Sequence, residues 1–240
     1  MPFLIEIIGP PGSGKSTISK ALTLLLKKNN IKILRSNEAK IDKLNNKNYN
    51  LLIKIKLFFI TTKHFFYYFL LLHKIYFLKK NFKKNYFLRM LKLNFLHTYN
   101  INYLKNYLDK NDIIIMEPGP IMFFLHEYFY SNNFIDDNII HLFNDAFLDC
   151  NLIISLNSNN ESLYSRINDR ERGIPLRMKE MNKSQIIKIL SQSQKTLDKY
   201  INFTGKYNSN FMIINTDSIK PVDIANKIYT KFITLNIIKN

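Results

Sequence analysis

The amino-acid sequence predicts an α/β protein: a three-layer sandwich in which a parallel sheet carries helices on both faces. Three observations predict it. Five apolar runs, each five or six residues long, recur at 3–8, 31–35, 112–116, 152–156 and 211–215. Segments with apolar residues at helical spacing follow several of these runs. A glycine-rich loop joins the first run to the first such segment. Strands that alternate with helices need crossover connections, and these build parallel sheets covered on both sides.

The first run, FLIEII at 3–8, is β-branched and ends at a glycine, so it reads as a buried strand. After the loop, Ser16 to Lys28 places Ile18, Ala21, Leu22, Leu25 and Leu26 on one helical stripe, and Asn29-Asn30 ends it. The second strand is IKILR at 31–35. Residues 51–108 are rich in Phe, Tyr, Leu and Lys and read as helical. Their densest part, Phe65 to Leu72, is too short to span a bilayer between Lys63-His64 and His73-Lys74, since a span needs ~20 apolar residues. DIIIM at 112–116 is the third strand, and 121–149 reads as helical with breaks near Ser131–Asn133. LIISL at 152–156 is the fourth strand. Asn159 is placed to cap a helix that runs through Arg170, with Leu163 and Ile167 inward and Gly173 as its stop. Asn182 with Gln185 forms a capping-box pattern for a helix to about Tyr200. The fifth strand, FMIIN at 211–215, leads to a helix opened by Pro221 and carrying Val222, Ala225, Ile228, Tyr229 and Phe232. No internal repeat or Gly/Ser/Pro-rich linker interrupts the chain. One domain over 1–240 is therefore expected, with a basic, aromatic, helical insert at about 40–108 and a lid at about 160–182.

The single cysteine, Cys150, excludes a disulfide framework, and no signal peptide is visible, so a cytoplasmic setting is expected. The five histidines show no metal-ligand spacing. The formal charge is +17, with 29 Lys against 6 Arg. Thirteen of these cations fall between Lys43 and Leu108, a window with no Asp or Glu. Lys-rich drift in composition accounts for much of this. An anionic partner surface, nucleic acid or membrane, is the less favoured alternative. A homodimer is also compatible with the sequence.

The loop carries the chemistry. Gly9, Pro10, Pro11, Gly12, Ser13, Gly14, Lys15 and Ser16 satisfy G-x-x-x-x-G-K-[ST], with Thr17 following and a strand and helix on either side. Small residues let such a loop turn back so that successive amides point at one phosphate, and the helix N-terminus adds its dipole. Lys15 then reaches the β and γ phosphates of ATP, and the Ser16 hydroxyl ligates Mg²⁺.

GPPGSGKST resembles the P-loop kinases, and its wording is similar to the nucleoside and nucleotide kinase branch, thymidylate kinases included. The resemblance covers both ends of the chain, about two-thirds of it, and is silent on 40–108. It implies a sheet of order 2-3-1-4-5, a Mg·ATP donor and a small-molecule acceptor, a nucleoside or nucleoside monophosphate. A sugar or other metabolite is the alternative acceptor, and a nucleotide-binding module at a nucleic-acid or membrane surface is the alternative function. In that branch a strand ends in an acidic residue near Mg²⁺ and the acceptor, often followed by Arg. Here DIIIME ends in Glu117, and Pro118 stands where the Arg would be. Glu117 either orients a metal-bound water, acts as a base, or merely caps the next helix. Arg35 and Glu38, after the second strand, are candidates for acceptor binding. The similarity of 152–173 to a lid helix implies that Arg166, Arg170 and Arg172 stabilise transferring phosphoryl oxygens. Four of the six arginines, Arg177 included, fall within twelve positions there, which suits a need for fork-shaped donors. The competing reading is a solvated face with Glu161 and Glu171 as partners. No N/T-K-x-D stretch is present, which argues against a GTPase.

Overall fold

The structure is a computed structural model. It describes residues 2–35, 62, 66, 112–129, 137, 140–141, 150–170, 173–205 and 210–238. The expected insert at 40–108, apart from Thr62 and Phe66, lies outside these residues, as do Glu38 and Arg172.

Strands β1 (Phe3–Ile8), β2 (Ile33–Arg35), β3 (Ile113–Met116), β4 (Leu152–Asn157) and β5 (Phe211–Asn215) form one sheet of order β2-β3-β1-β4-β5. Every pairing in it is parallel. Five strands and their order thus match the expectation. Helices α1 (Lys15–Lys28) and α5 (Pro221–Thr234) cover one face. Ile5 and Ile7 of β1, Ile113 and Ile115 of β3, and Leu152 and Ile154 of β4 meet Ile18, Leu22, Ile228 and Phe232 there. Helices α2 (Pro120–Phe129) and α4 (Lys183–Thr204) lie on the opposite side, where Phe124 and Tyr200 meet edge to face at 6.5 Å. Both faces being covered explains why β3 is buried at every position and reads as an unbroken apolar run. Helix α3 (Asn160–Asn168) packs on α4 through Leu163, Ile167, Met178, Ile186 and Leu190.

Local chemistry sets the ends of these elements. Asn182 accepts from the Gln185 amide at 3.0 Å while Gln185 accepts from the Asn182 amide at 3.0 Å, a complete capping box. Asn159 caps α3 through the Ser162 amide at 2.8 Å. Pro221 occupies the first turn of α5.

Several boundaries differ from expectation. β2 begins at Ile33 because the Ile31 amide is taken by Leu26 O, which closes α1. α3 ends at Asn168 with Asp169 as its C-cap, so Arg170 lies beyond the helix and does not share a face with Arg166. Gly173 does not stop α3; its left-handed backbone closes a separate turn, its amide donating to Arg170 O at 2.8 Å. α4 continues to Thr204, and Val222 on α5 points to solvent. Among the described residues, no helix is long and apolar enough to cross a membrane.

Asn182→Ala should cost about 1 kcal/mol of stability through loss of the α4 cap, read as a lower denaturation midpoint with an unchanged denaturant slope.

Candidate active site

The parallel sheet brings the carboxyl ends of its strands to one edge, where ligands bind in folds of this kind. The loop from Gly9 to Gly14 leaves β1 at that edge. Gly12 and Gly14 both have left-handed backbones, at φ 86° and 85°. A Cβ on Gly12 would stand 2.6 Å from Leu163 O, so only glycine lets the loop pass against α3. Gly14 is the N-cap of α1, and no side chain caps that helix. The first-turn amides of α1 therefore open towards the loop's concavity.

Lys15 folds back over the loop. Its Nζ donates to Gly9 O at 2.7 Å and to Pro10 O at 2.8 Å. Burial, then the Arg170 charge, push the ammonium down to about 7, and Glu117 opposes the shift. The Ser16 hydroxyl donates to Glu117 Oε1. Glu117 Oε2 pairs with Arg35 Nη2 at 3.2 Å, with both side chains largely buried. Arg35 Nε donates to Ser19 Oγ at 3.0 Å, which fixes the guanidinium plane against α1. β2 and β3 thus aim a cation and an anion at the first turn of α1. The arginine beside Glu117 comes from β2, whereas the next position in sequence is Pro118, joined through a cis peptide bond.

The arginines expected in a lid divide. Arg166 Nη1 donates to Thr216 Oγ1 at 2.9 Å and Nη2 to Thr216 O at 2.8 Å, so Arg166 reaches the loop after β5. Asp217 lies 4.0 Å from the same guanidinium. Asp217 also accepts from the Ser158 hydroxyl and from the Asn159 amide at 3.0 Å. Burial opposes ionisation of Asp217, but these bonds and the Arg166 charge outweigh it and hold the carboxyl below its usual range. A half-open pocket of about 190 Å³ lies beside the glycine loop, lined by Ser13, Gly14, Thr17, Arg166, Thr216 and Ile219 among others. Arg170 instead acts electrostatically on Lys15. Of the two acids expected as partners on a solvated face, Glu161 pairs with exposed Lys183 at 2.9 Å, and Glu171 lies outside the described residues.

No family model and no curated protein matches the chain. Among solved structures, it is similar to the shikimate kinase of Bacteroides thetaiotaomicron, at 13% identity and a TM-score of 0.48, over 97% of this chain and 98% of that one. The chemistry of the site rests on its own residues.

Two groups, half-buried His126 and buried Glu6, escaped the sequence reading. His126 on α2 is pushed down to about 4 by burial and by the Lys15 charge, so it is a neutral imidazole at ordinary pH. Glu6, in the middle of β1, is fully buried and accepts from the Met122 amide at 2.8 Å and the Ile121 amide at 3.2 Å. A lone acid within an apolar strand of a parallel sheet was the available clue. Capping the helix after β3, one of the roles open to Glu117, belongs to Glu6. Burial raises the Glu6 carboxyl to about 8 from its ordinary 4.5, against the pull of the Met122, Ile121 and Gly119 amides.

The consequence for stability has a definite sign. Between about 4.5 and 8 the folded chain keeps a proton on Glu6 that the unfolded chain has lost. Stability should therefore fall as pH rises through that window. Thermal midpoints compared at the two ends of the window should show a decline in the wild type and a shallower one in Glu6→Gln. Equal slopes would mean that Glu6 ionises normally in the fold.

Proposed function

We propose that the protein is an ATP-dependent phosphotransferase that passes the γ-phosphoryl group of Mg·ATP to a small-molecule acceptor, a nucleoside or nucleoside monophosphate. The observation that carries the reading is the convergence of four groups at one sheet edge: the uncapped α1 N-terminus, Lys15, the Ser16–Glu117 pair and Arg35.

The residues fit the ligands. The α1 amides have no side-chain cap, and successive amides around a glycine turn suit a phosphate. Ser16 and Glu117 offer two hard oxygens in contact, the kind of donor that Mg²⁺ takes alongside phosphate oxygens and waters. Such a site needs no dense ligand cluster. Among the described residues no group of three or more His, Cys, Asp or Glu gathers to hold a metal. When bound, the metal would neutralise phosphate charge and polarise the transferring group.

Each side chain then has a role. The loop amides bind and orient the triphosphate tail. Lys15 exchanges its two carbonyl partners for phosphate oxygens, and the anion favours its charged form. Glu117, in contact with Ser16, works on the metal side. Arg35 holds Glu117 in place and presents a cation where a phosphate-bearing acceptor would lie. Arg166 lines the pocket next to the loop and offers a guanidinium face to the nucleotide base. Arg170, already within electrostatic reach of Lys15, stabilises charge on the phosphoryl oxygens. The acceptor hydroxyl oxygen bonds to the γ-phosphorus, the bond from phosphorus to the ADP oxygen breaks, and the hydroxyl proton passes to a carboxylate, Glu117 or Glu38, and from it to water. Residues 38 and 172 belong to the same proposal through the resemblance alone, as acceptor-side carboxylate and lid cation.

Lys15→Ala should reduce turnover by at least about 100-fold, the scale on which single electrostatic stabilisers act. The measurement is radiolabel transfer from ATP to a panel of nucleosides, nucleoside monophosphates and sugars. Tight Mg·ATP binding with no labelled product from any acceptor would defeat the kinase reading. Unchanged affinity in Lys15→Ala would defeat the loop assignment itself.

A further inference from the structure

We infer that Glu6 is a positioning residue: from inside the central strand it anchors the turn 117–119 and so sets where the Glu117 carboxylate stands. The geometry supplies the connection. Glu6 is paired with Met116 across the β1–β3 ladder, one residue before Glu117. Its side chain leaves β1 on the face opposite Ile5 and Ile7, towards α2 and α4. There Oε1 accepts from the Met122 amide at 2.8 Å and Oε2 from the Ile121 amide at 3.2 Å. These are first-turn amides of α2, which have no partner within the helix.

The contact is also steric. A Cβ on Gly119 would fall 2.2 Å from the Glu6 carboxyl carbon. The carboxyl group therefore packs against Gly119, and any side chain there would displace it from the α2 amides. The turn has two moorings. Glu6 grips Gly119, Ile121 and Met122 at one end. Ser16 and Arg35 take the Glu117 carboxylate at the other. Gly119 is two residues from Glu117, so a turn released from Glu6 lets Glu117 drift from Ser16. Even when protonated, both carboxyl oxygens keep acceptor capacity, whereas Gln at position 6 keeps the shape but turns a donor-only NH₂ group towards one amide and leaves it unpaired.

The test has one arm that needs no ligand and one that rests on the proposed function. In the ligand-free full chain, Glu6→Gln should speed amide exchange across 117–125 by about tenfold or more while α1 and α5 keep their protection. In nucleotide titrations, the Mg²⁺ concentration giving half-maximal ATP binding should rise by about tenfold, with metal-free ATP affinity unchanged, as when a group supporting a metal ligand is lost. Gly119→Ala disturbs the same contact from the other side with the carboxyl group intact, and should reproduce both effects if Glu6→Gln folds poorly. Unchanged exchange at 117–125 would overturn the inference. So would acceleration spread evenly over α1, α2 and α5, which marks a packing role only. Wild-type protein that binds no Mg·ATP would sink the kinase reading, and the exchange arm would still decide the role of Glu6.

Discussion

The parallel pairing of β1 with β3 is the constraint on which the site depends. Its register sets Phe3 against Ile113 and Glu6 against Met116, so the two strands reach the same edge together. The glycine loop leaves one strand there and Glu117 leaves the other. A slip of one residue would send every side chain of a strand to the opposite face. Glu6 would then enter the α1–α5 layer, and Ile5 and Ile7 would leave it. The register is held by apolar burial, since β1 and β3 contribute Ile5, Ile7, Ile113 and Ile115 to a single core cluster. The position of the chemistry is thus a by-product of hydrophobic packing.

On that edge the charges fall into two groups. Glu117 gathers Ser16 and Arg35 beside β3, and Asp217 gathers Ser158, Asn159 and Arg166 beside β5. Each carboxylate ties one strand end to the root of a helix. Lys15 is held by main-chain carbonyls of the glycine loop. Burial, and then the Arg170 charge, push its protonation down, with Glu117 opposing them. The loop therefore keeps its lysine folded against its own backbone, at a modest cost in charge stabilisation.

What could be read in the sequence was local. The five strands are unbroken apolar runs because both faces of the sheet are covered. The loop needs residue types that few other structures need together. The α4 capping box and Pro221 act within one helical turn, and both stood where their spacing placed them. What escaped reading was pairwise and distant. Arg35 meets Glu117 across 82 positions, and Glu6 meets Met122 across 116. Nothing in either neighbourhood advertises its partner; Pro118, next to Glu117, pointed away from an arginine altogether. The end of α3 was missed for another reason. Residues 166–170 continue a helical charge pattern, yet the backbone turns at Asp169, and propensity does not decide between the two.

That early end of α3 changes what the arginines can do. α3 is fixed at its start by Asp217, in its last turn by the bonds from Arg166 to Thr216, and along one side by Leu163 and Ile167 against α4. A rigid-body swing of α3 would have to break all three attachments. Arg166 therefore belongs with the fixed wall of the pocket. Arg170 lies two residues past the helix, in a turn closed by the Gly173 amide. The two arginines, four residues apart, are thus separated by the end of the helix: Arg166 is bonded into the frame, and Arg170 lies beyond the helix that the frame holds.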